Sequence, residues 1–280
     1  MSGAPLHDEV RFWRDKALPG VEARSSTYTS NAFRTHTHRA CLVSLVDNGR
    51  TRFTLEGQTR IVQAGQMAVI EAGRPHSCNP VSGSGFSYRV LAVSPGWLAG
   101  AAQEAQRPPR FASPVLDDPE LFAAWAELHA AFVQCAPATD KEALLMACLR
   151  ELLARHAAPC AAAERTASPA VEAARRHMTD NAGARAPLDE LARAAGLSPH
   201  HFLRVFKAET GLPPHAFQIQ QAIEHAKTLL AEGAPISQAA LDAGFADQSH
   251  FSRLFRAFTG ATPGQYLSGG AQGREPASRT

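Results

Sequence analysis

An internal duplication constrains this chain more than any other feature. Residues 202–217 read FLRVFKAETGLPPHAF and residues 251–266 read FSRLFRAFTGATPGQY, and the two align without a gap at an offset of 49. Seven of the sixteen positions are identical: Phe202/Phe251, Arg204/Arg253, Phe206/Phe255, Ala208/Ala257, Thr210/Thr259, Gly211/Gly260 and Pro214/Pro263. Val205/Leu254, Lys207/Arg256 and Phe217/Tyr266 keep the chemistry. Apolar positions recur at three- and four-residue steps, so each copy predicts a helix with one face to bury. Upstream of each copy the same order repeats. In the first, residues 188–195 predict a helix, Gly196 and Leu197 a turn, and Ser198 and Pro199 the next helix start. In the second these are residues 236–243, Gly244 and Phe245, then Ala246 and Asp247. Glycine tolerates the left-handed backbone that ends many helices. Ser198 and Asp247 are good N-caps, and Pro199 fits a first helical turn. Helix, short glycine turn, helix is the helix-turn-helix pattern.

What these second helices leave exposed indicates their use. Phe202, Val205 and Phe206 form one buried stripe, leaving Ser198, His200, His201, Leu203, Arg204 and Lys207 outside it. In the other copy Phe251, Leu254 and Phe255 are the stripe, and Gln248, Ser249, His250, Ser252, Arg253 and Arg256 face away. Arg and Gln can grip guanine and adenine edges bidentately, and a ten-residue helix ~15 Å long fits a major groove ~12 Å wide. The alternative is a plain helical domain with a solvated face. Residues 169–270 carry nine basic and nine acidic side chains, so net charge does not supply the attraction. Its placement does: Arg204, Lys207, Arg253 and Arg256 stand in the two recognition stretches against Asp247 alone. Between the copies, residues 213–231 predict one continuous helix, a rod that spaces the two units. Neighbouring major grooves on one face of DNA lie ~34 Å apart, so one chain could read two of them.

The front of the chain is different. From Thr27 to Val93 short apolar runs, among them CLVSLV (residues 41–46), residues 51–55, 61–62, 67–70 and 86–93, alternate with turns such as Asp47-Asn48-Gly49 and Ala72-Gly73-Arg74-Pro75. This predicts an antiparallel sandwich or small barrel. Two amphipathic helices follow, at residues 119–135 and 140–156, as a packing layer or, alternatively, a dimer seam. Residues 157–169 have linker composition, and the tail SGGAQGREPASRT is expected to be disordered.

The 280 residues are 45% hydrophobic and 19% charged, with a formal charge of +2, which is ordinary globular composition. No apolar run approaches the ~18 residues of a membrane span. The N-terminal residues MSGAPLHDEVRFWRDK lack the apolar core of a secretory signal. The expectation is a cytoplasmic protein with no membrane partner. Five scattered cysteines (Cys41, Cys78, Cys135, Cys148, Cys160) with no CxxC pair argue against a disulfide framework or zinc finger.

The doubled unit closely resembles the AraC/XylS family of bacterial transcription regulators, most specifically over AALDAGFADQSHFSRLFRAFTGATPGQY (residues 239–266). The resemblance implies a regulator of the activator kind that binds double-stranded DNA at operators. Its base contacts would come from His200, Leu203 and Arg204 on the first recognition helix, and from Gln248, Ser249, His250, Ser252 and Arg253 on the second. RNA polymerase is a further implied partner, and a homodimer is left open. Ala222 stands where the family usually has an arginine in the linker helix, and Leu267 follows Tyr266 where arginine is usual. The front half resembles the family's cupin-type sensor domain through His36-Thr37-His38, Glu56-Gly57, the run from Gly65 to Ile70 and Gly73-Arg74-Pro75-His76. The expected fold is therefore α+β. It divides into a cupin-like antiparallel barrel at residues 1–105, a helical layer at 106–160, a linker at 161–168, an all-α double helix-turn-helix domain at 169–268 and a disordered tail at 269–280.

His36 and His38 are two apart, so on a strand they share a face, and with His76 they could present three metal ligands. A catalytic cupin also wants a glutamate a few residues past the second histidine, where this chain has Leu42 and Val43. The expectation is accordingly no metal, no cofactor and no catalytic residue. Instead a small polar effector, such as an amino acid or sugar, would be lined by Tyr28, His36, His38 and His76. The alternative is a metal-dependent cupin enzyme fused to a helical domain. The DNA reading makes one prediction: replacing Arg204 and Arg253 together by alanine abolishes operator-specific footprints while leaving the circular dichroism spectrum unchanged.

Overall fold

Strand β3 (Cys41–Asn48) explains why an uninterrupted apolar run can be a strand. The computed structural model describes residues 8–29, 33–81, 85–102, 110–158 and 168–268. In it β3 lies inside a six-stranded antiparallel sheet with both faces covered. Its even residues Leu42 and Val46 join the core between two sheets, while Cys41, Val43 and Leu45 join a second core beneath helices. A strand buried on both faces needs no polar alternation.

The other strands are β1 (Glu9–Arg14), β2 (Val21–Tyr28), β4 (Arg50–Leu55), β5 (Gln58–Gln63), β6 (Met67–Ile70), β7 (His76–Pro80), β8 (Phe86–Val93), β9 (Arg110–Phe111), β10 (Val115–Leu116) and β11 (Ala157–Ala158). The large sheet runs β1-β2-β8-β3-β6-β10, the facing sheet β5-β4-β7, and β9 pairs with β11. The expected barrel thus takes the form of two antiparallel sheets whose inner faces meet at Phe53, Leu55 and Val62 from one side and Phe12, Leu42 and Ile70 from the other. Sequence reading placed no strand at β1 or β2. Yet β1 buries Val10, Phe12 and Trp13, and β2 pairs with β8 along its whole length, so the sheet begins well before Thr27.

On the outer face of the large sheet lie α1 (Pro95–Ala102), α2 (Pro119–Val133) and α3 (Ala138–His156). The Asp118 carboxylate accepts the Leu121 N–H at 3.0 Å and Pro119 occupies the first turn, so α2 starts where its sequence says it should. Trp125, Leu128 and Phe132 of α2 and Leu145, Cys148 and Leu152 of α3 pack on Val43, Leu45 and Leu91. These two helices form the packing layer.

The C-terminal half is helical: α4 (Pro169–Asp180), α5 (Leu188–Ala194), α6 (Pro199–Thr210), α7 (Pro214–Ala231), α8 (Ile236–Asp242), α9 (Gln248–Thr259) and α10 (Pro263–Ser268). The duplication survives in atomic detail. Helices α6 and α9 both end on a left-handed glycine, Gly211 at φ 73° and Gly260 at φ 75°. Thr210 and Thr259 turn their hydroxyls back to the carbonyls of Phe206 (2.7 Å) and Phe255 (2.8 Å). The tail expected to be disordered (269–280) and most of the linker lie outside the described residues.

The two units differ in what they bury. The first has its own small core of Val171, Met178, Leu191, Phe202, Phe206 and Phe217. The second shares one core with the inner faces of the sheets, joining Phe251, Phe255, Phe258 and Tyr266 to Phe12, Tyr28 and Tyr88. Polar contacts follow the same route. Last-turn carbonyls of a helix lack partners within it. In α9 the Ala257 carbonyl accepts the Arg34 N–H (3.3 Å), Thr259 accepts the Arg24 guanidinium (2.7 Å), and the Gly260 carbonyl accepts the Tyr28 hydroxyl (2.9 Å).

A Cβ on Gly260 would come within 2.3 Å of the Tyr28 oxygen and 2.4 Å of the Phe33 ring, whereas one on Gly196 (φ 67°) would meet nothing within 4 Å. Both glycines hold left-handed backbone, so alanine costs each about 1 kcal/mol. Gly196→Ala should therefore destabilise the full chain by about that much in urea unfolding. Gly260→Ala should cost clearly more, about 2–4 kcal/mol, because the contact with the sheet must open as well.

Candidate ligand cavity and nucleic-acid interface

The junction between the sheets and the helical half encloses a cavity of about 180 Å³. At ~30 Å³ per water in the liquid, that is room for about six water molecules. One wall is apolar: Leu42 from β3, Ile70 from β6, Val90 from β8 and Phe12 from β1. Alternation along each strand turns these side chains inward. The other walls carry charge and imidazole. Arg24 and Glu22 come from β2, Glu224 and Lys227 from α7, and His36, His38 and His76 from the mouth of the facing sheet. The cavity is thus amphipathic, rather than lined by polar groups as the sequence had suggested. Tyr28 is not part of its lining. It is fully buried, with its hydroxyl committed to Gly260 and approached by the Arg24 guanidinium.

The histidines converge because their backbones are paired. The His36 N–H donates to the His76 carbonyl (3.0 Å) and the His76 N–H to the His36 carbonyl (2.9 Å). One ring nitrogen from each of the three histidines lies within 4.8 Å of the others. His36 Nδ1 is 2.7 Å from the Arg34 carbonyl and His76 Nδ1 is 2.9 Å from the Arg74 carbonyl. A carbonyl only accepts, so both rings carry their proton on Nδ1. Burial is the main cause that pulls His36 down to about 4 and His76 to about 3. Burial, followed by the neighbouring imidazoles, also holds His38 well below the usual histidine range. The rings are neutral near pH 7, and His38 Nε2 donates to the bare His36 Nε2 at 3.0 Å.

Thr37, between two of these histidines, is held by the helical half. Its N–H donates to Gln220 Oε1 (2.9 Å), and Gln220 Nε2 donates to the Thr37 carbonyl (2.8 Å) and to its hydroxyl. Arg39 donates to Gln221 Oε1 at 3.0 Å. Sequence reading missed these partners, although three glutamines within four residues, at 218, 220 and 221, were a legible sign of a specific polar contact. Ala222, the departure from the family's arginine, is fully buried, and Gln220 and Gln221 make the buried polar contact instead. Leu267 packs, partly buried, against the shared core. Lys227 is the one Lys or Arg on α7, and it pairs with Glu224 at 3.1 Å. Burial opposes its charge, but the Glu224 carboxylate and the Tyr266 phenol outweigh it and hold the ammonium above its ordinary pKa.

The proposed DNA readers lie on α6 and α9. Ser198 caps α6, its hydroxyl accepting from the His201 N–H at 3.4 Å, and Asp247 caps α9 by accepting from His250 at 2.7 Å. His200, His201, Leu203, Arg204 and Lys207 are exposed on α6, as are Gln248, Ser249, Arg253 and Arg256 on α9. His250 and Ser252 are half-buried, the His250 ring lying 5.8 Å from that of Phe245. Arg256 also pairs with Asp8 at 3.0 Å, so the edge of the sensor half reaches this face.

Residues 18–154 match the family described as the AraC-like ligand binding domain, and residues 191–269 match a helix-turn-helix domain family. An uncharacterized HTH-type transcriptional regulator, YbfI of Bacillus subtilis, is 28% identical over 235 residues, which are 82% of this chain and 85% of that protein. The bifunctional transcriptional activator/DNA repair enzyme Ada of Escherichia coli is 36% identical over 83 residues, only 23% of its length. Among solved structures, unsaturated fatty acid bound ToxT from Vibrio cholerae superposes with a TM-score of 0.58 at 12% identity, covering 99% of this chain and 100% of that one. That likeness is one of fold.

Removing the Gln220 carboxamide leaves the half-buried Thr37 N–H and carbonyl without their partners. Gln220→Ala should lower the stability of the full chain by about 1–3 kcal/mol, and Gln221→Ala, whose partner Arg39 is exposed, by less than about 1 kcal/mol. Calorimetric melting of the two variants separates these outcomes.

Proposed function

The chain belongs to the AraC family of transcriptional regulators, with a ligand-binding half and a DNA-binding helix-turn-helix half, and we propose that a small carboxylate in the cavity sets how its two recognition helices meet an operator. One observation carries this reading: the cavity is walled on one side by the sensor sheets and on the other by α7, the rod that joins the two DNA-reading units. A ligand there touches both halves at once. It can therefore favour one relative arrangement over another, which is the requirement for control by binding.

The ligand class follows from the walls. Lys227 and Arg24 offer cationic donors for an anionic head, while Leu42, Ile70 and Val90 suit an aliphatic tail. The fatty acid bound by ToxT is of the same class and supports the assignment. Base contacts are assigned to His200, Leu203, Arg204, Gln248, Ser249, His250, Ser252 and Arg253, and phosphate contacts to Lys207 and Arg256. The reading includes activation through RNA polymerase in the cytoplasm. The exposed side of α2 and α3 is available for a homodimer. Catalysis has no part in it.

The test uses the purified full chain, DNA from the region upstream of its own coding sequence, and two probes of equal length, decanoate and decanol. Decanoate should change operator affinity several-fold and raise the melting temperature, and decanol should do neither. Lys227→Gln should remove the decanoate response while leaving the ligand-free footprint. A chain that footprints no DNA, or that responds equally to both probes, overturns the reading.

A further inference from the structure

We propose that His36, His38 and His76 form a binding site for a divalent first-row transition ion such as zinc, with the remaining coordination position open to the cavity. The sequence argued against a metal because Leu42 and Val43 stand where a fourth protein ligand would be needed. Three imidazoles with an open position are themselves a complete zinc donor set. The inference deepens the effector reading, and rests on it only for the consequence at DNA.

Three features distinguish this cluster from histidines that merely pack. The first is convergence: one ring nitrogen from each lies within 4.8 Å of the other two, and His36 Nε2 and His38 Nε2 are 3.0 Å apart. Two nitrogens on one zinc at tetrahedral angles sit ~3.4 Å apart, given Zn–N bonds of about 2.0–2.1 Å. Modest ring rotations therefore close the set. The second is tautomer control. His36 and His76 each donate Nδ1–H to a backbone carbonyl, of Arg34 and Arg74, which leaves Nε2 as a lone-pair donor. That outer hydrogen bond is the usual means of orienting a metal-ligating histidine. The third is rigidity, since the reciprocal backbone pair between His36 and His76 fixes two of the ligands before any ion arrives. Without a metal, the cluster's internal bond engages the ring nitrogens of His36 and His38 but not that of His76.

The site is placed to be heard by the DNA-reading half. Thr37 sits between two of the ligands, and its N–H and carbonyl are both clamped by Gln220 of α7. Ligation by His36 and His38 fixes the segment that grips the rod. The charged side chains lining the cavity are Glu22 and Glu224 against Arg24, Arg39 and Lys227, a formal excess of one positive charge. A divalent ion adds positive charge, so an anionic oxygen, such as the carboxylate of the effector class above, is the favoured occupant of its open position. Ion and effector should then bind cooperatively, each tightening the other by the same factor.

The full-length protein is stripped with a chelator and titrated with zinc, then with cobalt as a spectroscopic substitute. The expected result is saturable binding of about one ion per chain, with cobalt giving the visible ligand-field bands of a nitrogen-bound, low-coordinate site. His38→Ala and His76→Gln should each weaken zinc at least about 100-fold, beyond the 10–100-fold typical of losing an outer-sphere partner. His129→Gln, at a buried histidine outside the cluster, should leave zinc binding unchanged. Adding decanoate should tighten zinc several-fold. Absence of saturable binding in the unmutated chain overturns the proposal without appeal to any variant. Binding undiminished in both ligand variants overturns it too, and so does binding that decanoate leaves unaltered as regards the open position. None of these readouts involves DNA, so failure here leaves the regulator reading standing, and failure of the footprints leaves this site standing.

Discussion

The carbonyl end of α9 is completed by groups from the other half of the molecule, and much of the architecture follows from that. Arg24, Tyr28 and the Arg34 amide supply the donors that the last turn of the helix lacks. Arg24 carries the greatest burden. Burying a guanidinium is costly unless its donors are met. Here they reach Thr259, Ser26 and the Tyr28 hydroxyl within a ring of Phe12, Tyr28 and Tyr88. Arg14 repeats the device at α10, donating to the Tyr266 carbonyl at 3.1 Å while its guanidinium lies 4.0 Å from that ring. The second DNA-reading unit is thus an extension of the sensor core. The first keeps a core of its own and touches the sensor where Pro75 meets the C-cap at Gly211.

This asymmetry gives the cavity its significance. Two identical, independent units would offer a ligand nothing to change. Here one unit is built into the wall that surrounds the cavity, through Phe258, Thr259 and Tyr266, and α7 joins it to the other. The electrostatics are compatible with such a role: neutral imidazoles, a compensated Lys227–Glu224 pair and an apolar far wall make a space in which a charged head has partners and a tail does not meet water.

What the sequence disclosed and what it withheld divide along physical lines. Everything local was legible. The repeat, both N-caps, the left-handed glycines at 196 and 244, the start of α2 and the strand at residues 86–93 depend on neighbours a few positions away. Which side chains of α6 and α9 stay exposed was largely legible for the same reason, because a single helix fixes which residues share a face, although His250 and Ser252 are half-buried. Contacts across the chain were not. Strands β1 and β2 read as polar because their buried residues alternate with charged ones, and only the pairing of β2 with β8, and of β1 with β2, identifies them as sheet. Tyr28 looked like a cavity residue, but its hydroxyl is captured by Gly260, 232 positions away. Gln220, Arg24 and Lys227 matter only once α7 is laid against the sheets, an arrangement that no periodicity encodes. The histidines fall between: His36 and His38 could be paired from their spacing, but the antiparallel bridge that brings His76 to them could not.

The claim that the sensor sheets and the second helix-turn-helix unit form one cooperative body is tested most directly by hydrogen exchange on the full-length, ligand-free chain. Cooperative units open together and exchange at a common free energy. The account predicts that amides of α9 and α10 share the high protection of β3 and β8, while those of α5 and α6 exchange earlier as a separate group. Exchange in which α4–α10 open together, ahead of the sheets, would contradict it.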